Sequence, residues 1–148
     1  MDGSRWTLRV TGPDPGTARV SVRQRQFDVG RPLEFDEASP RIAALEYALG
    51  ALAGEVVGGL RELAWRHRVA LDQIEATIAA DLEHALAYLE VAGIEGRPRI
   101  ARIQIKVFAA APDEAAIRRL WIDLLDRLPL VGTFRAAVPL DLELQVTP

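Results

Sequence analysis

The chain of 148 residues contains no cysteine. That one absence removes disulfides, thiolate nucleophiles, thiolate metal ligands and every reaction that passes through a sulfenic acid. Sulfur is confined to Met1. Histidine is nearly absent too: His67 and His84 stand alone, with no H-x-x-x-H or H-E-x-x-H spacing, so no metal site is expected. No glycine-rich phosphate loop is present, and no cofactor is expected. Ser21, Ser39 and the threonines lack a histidine and acid pattern that would mark a hydroxyl nucleophile.

Charge of one sign is also missing. The 18 basic and 21 acidic side chains are spread along the chain for a net charge of −3, with no basic block to meet a phosphate backbone. Nucleic acid is therefore not an expected partner. The start, Met1-Asp2-Gly3-Ser4-Arg5-Trp6, has no apolar run of the secretory type, and a cytoplasmic location is expected. The longest apolar stretch, residues 42–60, carries Glu46 and Glu55 and is rich in Ala and Gly. That is the composition of a buried helix in a water-soluble core, not of a membrane span.

What is present is the balance of a globular domain, 49% hydrophobic and 26% charged residues, enough for one core in a single domain over residues 1–148. Alternation of apolar and polar residues predicts a strand from Trp6 to Val10, a turn over Gly12–Gly16, a strand around Ala18, Val20 and Val22, and a third over residues 24–29. These make a small N-terminal sheet within residues 1–36. Ser39-Pro40 then reads as a helix start, and Leu45, Leu49, Leu52, Val56, Leu60 and Leu63 recur at helical spacing to about His67. Gly50, Gly54 and Gly58 form a second stripe on that helix. Each costs about 1 kcal/mol relative to Ala, so close approach of another backbone is the expected gain. A strand follows over residues 74–80, then an ambiguous stretch over 84–97 and a strong strand at Ile100–Val107. A second helix opens at Pro112-Asp113-Glu114 and stops at Pro129, and a last strand covers Val138–Val146. The fold class is α+β, with antiparallel sheets, a long central helix and a second helix, in the order β-β-β-α-β-β-α-β.

Two runs give this order a family likeness. Glu46-Tyr47-Ala48-Leu49-Gly50-Ala51-Leu52-Ala53-Gly54-Glu55 resembles the central-helix motif P-x-E-L-L-L-A-A-L-x-x-C of the OsmC/Ohr hydroperoxide-resistance proteins, with Glu55 at the cysteine position. Leu128-Pro129-Leu130-Val131-Gly132-Thr133-Phe134 resembles the motif of their second cysteine, with Leu128 in its place, and Val138-Pro139-Leu140 resembles their closing strand. The resemblance covers roughly residues 33–146. It implies an OsmC-like fold and an intertwined homodimer with the two long helices at its centre. It also implies a peroxide site at which one thiol attacks and a second resolves. Neither step is open to a carboxylate or a leucine.

The expectation is thus an OsmC-like protein without thiol peroxidase activity that binds a small apolar molecule at the former cysteine site. Glu55, Leu128, Glu46 and Tyr47 are the ligand-binding candidates. The resemblance places an acid near Glu46 that positions an arginine, so a salt bridge is expected there. Glu55 lies among Leu52, Val56 and Val57, where a carboxylate must find a partner or be protonated. It can pair with an arginine such as Arg23, Arg25 or Arg135 or reach solvent, anchor a ligand, or act as the general acid or base of an enzyme. A purely structural or protein-binding dimer is the remaining alternative.

Overall fold

A computed structural model describes residues 3–148. Its order is β1 (Arg9–Asp14), β2 (Thr17–Val22), β3 (Arg25–Val29), α1 (Ala44–Arg66), β4 (Gln73–Glu83), β5 (Arg99–Ala110), α2 (Glu114–Leu125), α3 (Pro129–Ala137) and β6 (Leu140–Thr147), with a 3₁₀ turn at Ala85–Leu89. The α+β class and the predicted order hold, with α3 as an added element and one departure from antiparallel pairing, between β5 and β6.

The chain divides into two compact units, residues 1–48 and 49–148. In the first, β1, β2 and β3 form an antiparallel meander. β1 starts later than the sequence suggests and runs on through Gly12 and Pro13, because Pro15-Gly16 alone makes the reversal. Proline pre-sets its own φ, and Gly16 takes the positive φ (79°) that follows. The helix start also moves, from Ser39-Pro40 to Ala44. Ser39 and Pro40 sit in a turn: the Ser39 amide donates to the Asp36 carbonyl, and the Ser39 hydroxyl accepts from the Arg41 amide. The first amides of α1 are satisfied from the loop after β3 instead, Ala44 N donating to Arg31 O at 3.0 Å and Leu45 N to Pro32 O at 3.2 Å.

In the second unit, β4 and β5 pair antiparallel and β5 and β6 pair parallel. A parallel partner cannot be reached by a hairpin, and α2 with α3 makes the crossover. One face of this sheet and the apolar stripes of the helices share a single core. Ile103, Ile105 and Val107 of β5 lie under Leu52, Val56 and Leu60 of α1 and Ile117, Leu120 and Leu124 of α2. Asp113 caps α2, accepting from the Ala116 amide at 3.0 Å. The stretch between β4 and β5 is a structured tip, not an extended hairpin. His84 and Glu90 take positive φ at either end of the 3₁₀ turn, and Gly96 follows at φ 116°.

Candidate functional site

The position that the resemblance gives to the first thiol holds Glu55, half-buried on α1. The sequence places it 75 residues before its partners. Its two carboxylate oxygens each accept one backbone hydrogen bond, from Leu130 N at 2.9 Å and Val131 N at 3.0 Å. Those amides are the second and third residues of α3, among the four that a helix leaves without an internal partner. Leu128, at the second cysteine position, is the N-cap of α3 and its side chain makes no capping bond. Glu55 therefore does from α1 what an aspartate or serine N-cap does locally, with the favourable sign for the helix dipole.

Pro129 is what makes the arrangement possible. In the sequence it reads as the end of the preceding helix. In the structure it is the first residue of the next, where its missing N–H costs nothing. α2 ends instead at Leu125, and residues 126–128 turn the chain. Leu128 completes the clamp from the apolar side. A Cβ built on Gly59 of α1 would meet Leu124 Cδ1 at 3.0 Å and Leu128 Cδ2 at 3.2 Å, so the two leucines lie directly over that glycine. Gly59 is thus the close-packed glycine of α1, and it was not singled out in the sequence. The stripe of Gly50, Gly54 and Gly58 has nothing within 4 Å in this chain.

Glu46 and Tyr47 belong to the first unit. Glu46 Oε1 accepts from the Ala43 amide at 2.9 Å, the return half of a capping box. Among the described residues of one chain the salt bridge expected there is not formed. Tyr47 packs its ring on Phe27, with centroids 5.2 Å apart and planes tilted by 40°. The structure thus brings Glu55 and Leu128 together at the start of α3, and places Glu46 and Tyr47 in the helix cap and sheet packing of the other unit.

Sequence reasoning looked for an arginine, Arg23, Arg25 or Arg135, beside Glu55; among the described residues its partners are main-chain amides, which carry no residue signature. The one available signal was X-Pro followed by a short apolar run, which also describes a helix start. Among the described residues no group of three or more His, Asp or Glu side chains is gathered as for a metal ion, and no helix is long and apolar enough to cross a membrane.

No family model matches this sequence, and no curated protein matches it. Solved structures do match in fold. An OsmC-like protein of Mycoplasma pneumoniae superposes with a TM-score of 0.74 at 14% identity, covering 99% of this chain and 98% of that one. The organic hydroperoxide resistance protein OhrB of Bacillus subtilis gives 0.64 at 17% identity, over 95% of this chain and 98% of its own. An OsmC-like protein of unknown function from Vibrio cholerae gives 0.67 at 8% identity, over 98% and 100%. The fold is OsmC-like from end to end.

Proposed function

On an OsmC-like fold without a single cysteine, we propose that this protein works as a homodimer with no thiol peroxidase activity, and that the former peroxide site has become a structural joint. The observation that carries this reading is the Glu55 carboxylate, both of whose oxygens are engaged by the amides that open α3. A carboxylate so placed organises the chain, which favours a structural role over the acid or base alternative. The leucines over Gly59 favour the structural or protein-binding form of the reading. In its ligand-binding form, a small apolar molecule would lie against Leu128 and Leu130 beside the joint. A cytoplasmic location is part of the same proposal.

The dimer has its own support. Gly50, Gly54 and Gly58 face away from the core stripe of Leu52, Val56 and Leu60, at 100° per residue, and Trp65 continues their side of α1 while 78% exposed.

Two measurements test the proposal. The purified protein, supplied with an organic hydroperoxide and a dithiol, is expected to consume no more peroxide than the protein-free control. Measurable metal-independent turnover would overturn the first part. Native mass spectrometry at micromolar concentration is expected to show twice the 16.3 kDa chain mass, and a persistent monomer would overturn the second.

A further inference from the structure

Each unit leaves one apolar surface open. In the first, Val10, Val20 and Phe27 stand side by side across β1, β2 and β3. Tyr47 packs on Phe27 at one end of that row, and Val20 is buried in its middle. Val10, at the other end, is 60% exposed, and Leu8 and Trp6 before it are exposed as well. β1 is an edge strand, and every residue along it is open to solvent. In the second unit, the tip between β4 and β5 turns Leu86, Leu89, Val91 and Ile94 outward, each 41% to 52% exposed. The backbone of this tip is tied down. Ala87 N donates to His84 O at 3.0 Å, Glu90 N to Ala87 O at 3.2 Å and Ile94 N to Val91 O at 3.1 Å, and the His84 imidazole lies against Gly96 at the neck. The tip is therefore ordered before any partner arrives, and docking does not have to order it again.

Charge makes the two surfaces complementary. Residues 3–13 and 23–27 include Arg5, Arg9, Arg23 and Arg25 and no acid, whereas residues 85–96 include Glu90 and Glu95 and no lysine or arginine. Among the described residues, none of these six side chains takes part in an ion pair. Arg25 pairs with Val22 in the ladder, which sets it on the same face as Val20 and Phe27. Glu90 and Glu95 border Val91 and Ile94 in the chain, and Arg97 follows at the neck. An acidic apolar tip is repelled by a second tip and by an anionic lipid surface. It suits a basic apolar surface, and another copy of this chain carries one.

We propose that the tip of one protomer docks on the open side of β1 of its partner. The apolar side chains of the tip cover Leu8, Val10 and Trp6, and its two glutamates face the arginines around them. A two-fold axis makes the contact occur twice and closes the assembly at two chains. The inference rests on the homodimer reading and adds a second pair of surfaces to the glycine stripe.

Because the chain has no cysteine, an introduced pair of thiols reports on this contact alone. The double variant Val10→Cys/Leu89→Cys is expected, on mild oxidation, to yield a disulfide-linked species of twice the chain mass whose peptide map joins positions 10 and 89. Neither single variant is expected to form one. Leu89→Asp, at an exposed position of the tip, is expected to weaken association about tenfold in sedimentation equilibrium. Absence of the link, a link closed within one chain, linkage of a single variant, or unchanged association of Leu89→Asp would each overturn the proposal. A dimer in native mass spectrometry that lacks the link removes this contact and leaves the homodimer standing, whereas a monomer removes both.

Discussion

At the residue scale, Glu55 ties the middle of α1 to the first turn of α3 through both of its carboxylate oxygens. Its two bonds to the α3 amides are charge-assisted, and Leu130 at the joint is half open to water, so solvent can replace part of what is lost on truncation. Glu55→Ala is expected to lower unfolding free energy by about 1–2 kcal/mol, the range for an N-cap, and Glu55→Gln, which keeps one acceptor, by about half of that. Denaturant midpoints of the three proteins check the order; equal midpoints for Ala and wild type would remove the strut role. Asp28 offers a second residue-scale test. Its hydrogen bond to Arg19, at 3.0 Å, holds its carboxyl below the ordinary aspartate value, with Arg41 adding attraction at 3.9 Å. A depressed folded value means the contribution is complete above the unfolded value and lost as pH falls through the folded one. The gap in stability between wild type and Asp28→Asn is therefore expected at neutral pH and should close on acidification. A gap that widened in acid would contradict the assignment. The sequence announced that Glu55 needed a partner and pointed to an arginine, since an amide is common to nearly every residue and gives no signal.

Elements with a full period of apolar residues were legible: α1 through Leu63, and β5 and β6 by strict alternation. The misreadings cluster at proline. Pro40 suggested a helix start that Ser39 turned into a loop, and Pro129 suggested a stop where α3 begins. Proline reports a fixed φ and a missing donor, which suit the first helical turn and a chain reversal equally. The tip between β4 and β5 had no period to read. Its conformation rests on Gly96, where φ is 116° and an added Cβ would overlap the His84 imidazole. Gly96→Ala is expected to cost more than about 1 kcal/mol, because strain and overlap act together there. Thermal unfolding checks it, and a stability equal to wild type would show the tip to be free to rearrange.

At the scale of the whole molecule the glycine stripe gives opposite predictions for one chain and for two. Nothing within 4 Å would meet a Cβ on Gly54, so in an isolated chain Gly54→Ala should gain about 1 kcal/mol of helix stability. In a dimer packed along the stripe the same methyl should weaken association instead. Sedimentation of the variant across concentration is expected to show increased dissociation; a stabilised protein with unchanged mass would point to the single chain. The family likeness made the two-sheet architecture legible from pattern alone, whereas which surfaces meet depends on contacts with no local signature. The joint at Glu55 also has a bearing on time. It closes a loop of 75 residues that contains the β4–β5 pair and all of α2, and long loops carry their closure entropy before any contact repays it. The β4–β5 pairing is local by comparison and is expected to nucleate the sheet, with the long-range joint engaging late. Loss of the carboxylate should then accelerate unfolding and leave the refolding rate almost unchanged, making Glu55 a determinant of how long the native state lasts rather than of how fast it is reached.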